Sequence, residues 1–383
     1  MTGTQRRIRV ALVASSFHPY TGGVEQHVRQ VAGELQRSGA DVIVWTVDRG
    51  EHLEERDVDG IPVRYLPTPL PARSAAALLS LLIVAPRTMR AWWRAYRDFR
   101  PEVLHVHCFG PNGIYALALN RLTGTPLVVT SHGETFADDH GAFDRSALLR
   151  AALRRAITTA VAVTAPSQFV LEDLRGRFGL TGGEVVPNGV HLDDRVGEPP
   201  VMAPGRVVFA VGRLERMKGF DLLLDAVATL DDPTVQVVIG GDGAEFASLR
   251  AQAERLGLSD RVQLPGRLSG EEIGAVMRAA DVVVVPSRRE AFGIVALEAW
   301  RAGTPVVGTC HGGMAEFITD GQDGLIIDPT RAPDLAAAIR RVLDDEKCRD
   351  SLAAAGSRAV QDFTWQAVTA GYMSVYHEIG PAT

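Results

Sequence analysis

Short apolar runs recur along this chain, and each leads through a polar or glycine-bearing loop into helical periodicity. Ile8 to Ser15, Ala40 to Val47, Val103 to His107, Leu127 to Thr130 and Ala160 to Thr164 form one series. Val207 to Val211, Val235 to Ile239, Val262 to Leu264 and Val282 to Val285 form a second. Continuous runs of Val, Leu and Ile read as strands buried on both faces, the mark of parallel sheets. Alternation of strand and helix through both halves predicts an α/β chain with two Rossmann-like, doubly wound sheets. Ligands of such sheets bind outside the carboxyl ends of the strands. Two such edges facing one another would enclose a central cleft. His191 to Arg206, broken by acids and prolines, reads as the connector.

One stretch concentrates the chemistry: Pro286 to Trp300, P-S-R-R-E-A-F-G-I-V-A-L-E-A-W. Pro286 and Ser287 stop the strand before it, Gly293 permits a tight turn, and a helix is expected from Ile294. Backbone N–H groups near Phe292, Gly293, Ile294 and Val295 should then face an anion from a helix N-terminus. Glu290 and Glu298 flank that position. A carboxylate beside an anion site suits the acceptance of hydroxyl hydrogen bonds, as from a sugar and a ribose on either side of a diphosphate. Solvated surface carboxylates are the bland alternative.

Five other loops fall at strand ends. Gly22 and Gly23 open the helix from Val24, where backbone can approach a ligand. No G-x-G-x-x-G is present, so a dinucleotide fingerprint is not supported. His132 follows the strand Leu127 to Thr130 and is either ligand-facing or structural; Ser131 beside it is not a nucleophile elbow. Arg213 and Lys218 share the loop after Val211. A guanidinium fork with an ammonium point charge makes a diphosphate clamp. Lys218 and Lys347 are the two lysines among 40 basic residues, so a lysine here departs from the chain's habit. Gly241 and Arg267 lie in the loops after the next two strands.

Composition removes other classes. A formal net charge of -6 argues against general nucleic-acid binding. The three cysteines have no metal-ligand spacing and no disulfide framework, which fits a reducing compartment. The apolar run near the N-terminus is too short for a signal peptide, and Ala75 to Ala85 is too short to cross a bilayer. A cytoplasmic location is expected. Ser74 to Phe99 reads as a helix broken near Pro86. Its second half, 87–100, mixes five arginines with Trp92, Trp93 and Tyr96. The favoured reading is an amphipathic domain helix with a solvated arginine side. Peripheral membrane contact through 87–100 is the other.

Together these motifs resemble the family-4 retaining glycosyltransferases of the GT-B fold. The resemblance is carried by Gly22-Gly23-Val24-Glu25, His132, Pro187-Asn188-Gly189-Val190, Gly212-Arg213 with Lys218-Gly219, Gly240-Gly241-Asp242-Gly243 and Glu290 with Glu298. Ala302 to Val307, Gly312-Gly313 and Gly321 to Gly324 extend it over nearly the whole chain. Cys310-His311 is a mild departure. The resemblance implies domains at 1–190 and 207–364, with 365–383 crossing back to complete the first. It implies a UDP- or GDP-linked donor sugar, UDP slightly preferred, and neither metal nor cofactor. It places Arg213 and Lys218 on the diphosphate, Glu298 on the ribose, Glu290 on the transferred sugar, His132 at the anomeric centre and Gly23 against the diphosphate.

The reaction expected is transfer of a hexose or N-acetylhexosamine to a hydroxyl, with same-face attack. The acceptor, whether small molecule, lipid-linked or glycan, is not legible. A sugar-nucleotide epimerase of GT-B-like fold and a non-catalytic sugar-nucleotide-binding protein are the alternatives. A pyridoxal phosphorylase is disfavoured, since Lys347 falls in a late acidic helix and Lys218 is already assigned.

Overall fold

The computed structural model describes residues 7–20, 22–50, 53, 55–69, 75–136, 141–193, 197–199, 205–230 and 232–379. The chain divides into two units, Met1–Pro187 with Trp365–Thr383, and Asn188–Thr364. The described parts of the expected connector at 191–206 therefore count with the second unit. Gly197 N–H bonds the Glu271 carbonyl there.

Among the described residues the first unit holds eight strands: β1 (Arg9–Ala14), β2 (Asp41–Val47), β3 (Glu55–Val58), β4 (Ile61–Leu66), β5 (Val103–His107), β6 (Leu127–Thr130), β7 (Ala162–Ala165) and β8 (Glu184–Val185). Their order is β3-β4-β2-β1-β5-β6-β7-β8, parallel except for β3 on β4. Val10 to Ala14 of β1 are fully buried, as a central strand covered on both faces requires. The second unit holds β9 (Arg206–Val211), β10 (Val235–Gly240), β11 (Val262–Gly266), β12 (Val282–Val285), β13 (Val306–Thr309) and β14 (Leu325–Ile327). They run parallel in the order β11-β10-β9-β12-β13-β14. Strand order reverses between β1 and β5 in one sheet and between β9 and β12 in the other. Such switch points are where open α/β sheets form crevices for ligands.

The last helix, Trp365–Ile379, lies in the first unit. Trp365, Val368, Tyr372, Val375 and Tyr376 are buried there with Val10, Val28 and Val103. Each large apolar side chain so buried contributes roughly 1.5–3 kcal/mol.

Three expectations change. The stretch 48–71, read as loop with one strand at Val63 to Leu66, carries the two-strand ribbon β3–β4, with β4 starting at Ile61. The helix expected to break near Pro86 runs unbroken from Ala75 to Phe99. Proline removes one backbone hydrogen bond, and packing beyond it holds the helix on course. Trp92 is fully buried, donates to the Pro67 carbonyl at 2.9 Å and stacks on Tyr115. Trp92 is therefore core and takes no part in a membrane-facing surface, while Trp93 stays 41% exposed. No described helix is long and apolar enough to cross a membrane. Helices at Pro111–Thr123 and Ala147–Thr159 in the first unit and at Ala332–Asp344 in the second are among those that pack on the sheets.

Candidate active site

The two strands beside the second switch point supply the central pair. After β9 the chain runs through a 3₁₀ turn, Arg216–Lys218, closed by Gly219 in the left-handed region. After β12 it runs through Pro286 to Gly293, whose φ of 101° starts the helix Ile294–Ala302. Lys218 Nζ donates to Glu290 Oε2 at 2.8 Å, and Ser287 Oγ donates to the same oxygen at 2.9 Å. The Glu290 side chain is 11% exposed. Burial alone would push its carboxyl up. The Lys218 charge and hydrogen bond, Ser287 and the Phe292 N–H outweigh burial and hold it below its ordinary 4.5. Glu290 is thus an ionised carboxylate at neutral pH.

Backbone contacts between loops fix this geometry. Arg288 N–H bonds the Met217 carbonyl, and the Arg288 guanidinium grips both oxygens of Asp221 at 2.7 and 2.6 Å. The second loop is thereby tied to the first. Glu290 N–H bonds the His311 carbonyl, and Gly313 N–H returns to the Glu290 carbonyl. Gly312 lies so close that a Cβ would sit 1.9 Å from the Glu290 carbonyl oxygen. A Cβ on Gly241 would meet the Gly212 carbonyl oxygen at the same distance. Only glycine permits such approaches.

The remaining candidates of the second unit are placed as follows. Arg213 is 62% exposed and pairs with Glu215. Arg267 is exposed, just beyond Gly266, whose carbonyl accepts from Gly241 N–H. Phe292 turns its ring into the core, stacked on Phe317 at 4.7 Å, and spends its N–H on Glu290. Ile294 and Val295 open the helix, where first-turn N–H groups lack intrahelical partners. Glu298 is half-buried in the same helix. Cys310 is exposed beside His311, which bonds Asp328 at 2.9 Å.

In the first unit Gly22 caps the helix Gly23–Arg37 in extended backbone, and both glycines are exposed. His132 follows β6 in a loop organised by Glu134. That carboxylate accepts from Phe109 N–H at 2.8 Å, Ser131 Oγ at 2.9 Å and His132 N–H at 2.7 Å. Burial raises the Glu134 carboxyl in spite of these donors. The His132 ring belongs to a cluster: His107 Nδ1 lies 3.2 Å from His132 Nε2, and the His27 ring stands edge-on to it at 4.7 Å. Tyr372 meets His27 at 3.0 Å and Tyr376 meets His105 at 2.6 Å. Nitrogens of His27, His107 and His132 lie within 4.8 Å of one another, so this trio could hold a metal ion. His27, His107 and Glu134 were not singled out from the sequence. The only local signs were the His-x-His ending of β5 and a glutamate two residues past His132.

Residues 21–194 match the family model described as Glycosyltransferase Family 4, and residues 200–359 match Glycosyl transferases group 1. A D-inositol 3-phosphate glycosyltransferase of Arthrobacter sp. is 30% identical over 386 residues, covering 93% of this chain and 90% of that protein. The chain belongs to the family-4 glycosyltransferases. A glycogen synthase of Mycobacterium tuberculosis is also 30% identical to this glycosyltransferase, over 96% of this chain and 94% of that one. Among solved structures, sucrose-phosphate synthase of Thermosynechococcus elongatus superposes with a TM-score of 0.80 at 24% identity, over 97% of this chain and 99% of that one. Anabaena HepE, solved with UDP and glucose, gives 0.78 at 23%, over 97% and 100%. The glycosyltransferase has the GT-B fold of these neighbours.

Proposed function

We propose that this glycosyltransferase moves a hexose or N-acetylhexosamine from a nucleoside-diphosphate sugar to a hydroxyl, with retention and without a metal. The observation that carries the reading is Lys218 Nζ, held 2.8 Å from the buried Glu290 carboxylate at the switch point. Donor cleavage puts negative charge on the leaving β-phosphate. Lys218, Arg213 and the N–H groups that open the helix at Ile294 are suited to stabilise it. Glu290, already holding an ammonium, a hydroxyl and an N–H, is suited to accept from sugar hydroxyls and poorly suited to act as nucleophile. Same-face attack follows: the acceptor oxygen bonds the anomeric carbon as the phosphate departs, and the phosphate oxygen takes the acceptor proton. Glu298 is assigned to the ribose, His132 to the anomeric centre of the transferred sugar, and Gly22, Gly23, Gly241 and Arg267 to the donor.

A UDP-sugar is the first donor to test, because HepE was solved with UDP and with UDP-glucose. The relatives' names add D-inositol 3-phosphate to the acceptor panel. The experiment is a donor-by-acceptor screen with mass detection of product and of released nucleoside diphosphate. Release that depends on acceptor, with an axial product retaining the donor configuration, is expected. Conversion of the sugar nucleotide without acceptor or diphosphate release would replace this reading with an epimerase.

A further inference from the structure

Four histidines meet inside the first unit, and the function proposed above uses one. His107 ends β5 and is fully buried. Its Nδ1 lies 3.2 Å from the Nε2 of His132, which follows the neighbouring strand β6 by two residues. Its Nε2 is buried and meets no hydrogen-bonding partner among the described residues. Burial first, then the neighbouring rings, hold both His107 and His132 well below the ordinary 6.5, so both are neutral near pH 7. Two neutral imidazoles sharing one hydrogen bond have one donor between them. The unpartnered Nε2 decides which ring donates. If His132 donated, the His107 proton would sit on Nε2 as a buried N–H without an acceptor, the rarest kind of unpaired group. His107 therefore carries its proton on Nδ1, and His132 accepts through Nε2 and carries its own on Nδ1.

We propose that His107 is a positioning residue that fixes His132 in the Nδ1–H tautomer, so that His132 offers the transferred sugar a hydrogen-bond donor and no basic nitrogen. This rests on the assignment of His132 to the sugar made above. The surroundings hold the arrangement in place. Glu134 clamps the His132 backbone, and His27 braces the ring from a helix anchored through Tyr372. His132 is the half-exposed ring of its trio with His27 and His107, and no described residue accepts from its Nδ1. The chemical consequence is a division of labour. A donor at this point steadies a sugar oxygen but cannot take the acceptor's proton, which is left to the departing phosphate.

The same trio has a spacing that a divalent cation could use. A zinc-bound histidine has its second ring nitrogen held by a carboxylate, carbonyl or water. The second nitrogen of His107 has no such partner, which favours the hydrogen-bonded arrangement.

The test reads the tautomer directly. Nitrogen-15 NMR of the full-length protein, labelled at histidine, reports which ring nitrogen bears the proton, with His132 assigned through His132→Gln. Wild type is expected to show His132 protonated on Nδ1. His107→Leu should mix the tautomers and lower kcat about tenfold, the scale of one lost hydrogen bond, with donor KM little changed. His107→Asn, whose amide N–H takes the Nδ1 place, should restore the tautomer and most of kcat. His132 protonated on Nε2 in wild type overturns the proposal, and that spectrum decides the matter even if His107→Leu fails to fold. An unchanged tautomer in His107→Leu overturns it too, as does one equivalent of zinc retained through purification. A freed tautomer with intact kcat removes its role in transfer. Wild-type turnover in His132→Ala would instead overturn the assignment of His132 to the sugar.

Discussion

Lys218 and Glu290 meet at 2.8 Å although 72 positions separate them in the chain. The sheet makes the pairing, since β9 and β12 lie side by side and each hands its following loop to the same edge. On the function proposed above, this one contact joins the stability of the second unit to its chemistry.

Lys218→Ala should therefore act twice. We expect kcat/KM to fall about 10²-fold, or ~2.7 kcal/mol of transition-state stabilisation. We also expect roughly 1–3 kcal/mol of lost stability, because a largely buried carboxylate loses its cation. Adding Glu290→Gln should recover part of the melting temperature and none of the activity. Kinetics and thermal unfolding on the single and double variants separate the two effects.

Arg213 is the contrasting case. Its guanidinium is 62% exposed and its partner Glu215 is local. Exposed pairs of this kind add little to stability. Arg213→Ala should lower kcat/KM about 10²-fold while the melting temperature stays put. Near-wild-type turnover would remove Arg213 from the mechanism.

Gly312→Ala tests the loop contacts. Its Cβ would meet the Glu290 carbonyl oxygen, and its φ of 153° is strained for any L side chain. The variant should melt lower and lose nucleoside-diphosphate affinity together. Gly23→Ala, with nothing within 4 Å of the added carbon, should melt like wild type.

Acid should weaken the first unit through its buried rings. Burial, with His27 beside it, holds His105 down at about 3, and His107 and His132 are lowered as well. Below 6.5 the unfolded chain takes up protons that the folded chain refuses. The stability these rings contribute is present above 6.5 and lost as pH falls toward their folded values. Each adds a slope of about 1.4 kcal/mol per pH unit in that window. His105→Gln should flatten the curve by about one proton's worth between pH 6.5 and 5, measured as the difference from wild type so that carboxylates cancel. An identical slope in the two proteins would rule out a neutral buried His105.

Metal independence is the remaining expectation. The proposed diphosphate charge is met by Arg213, Lys218 and backbone N–H groups, so transfer should continue in excess EDTA. Activity that vanishes on chelation and returns with magnesium or manganese would contradict it.

What could be read from the sequence was what local pattern encodes. Apolar runs gave the parallel strands, and Gly293 ahead of Ile294 gave the helix start beside Glu290. The ribbon β3–β4 escaped because its outer strand, Glu55–Val58, is mostly charged and pairs at the sheet edge, where little apolar surface is needed. Pro86 misled because a local rule was overridden by Trp92, which lies six residues further on and anchors the helix to the Pro67 carbonyl. The histidine cluster was invisible for another reason. His27 and Tyr372 are 345 positions apart, and nothing at either end announces the other.

Tyr372 and Tyr376 have a consequence for how this chain comes into being. They complete the interior of the first unit, yet they follow the whole of the second in sequence. During synthesis residues 188–364 can assemble while the earlier unit waits without the tyrosines that meet His27 and His105 and without the apolar side chains of the last helix. The part made first is finished last, so the waiting sheet is the part of the newborn chain most in need of a chaperone.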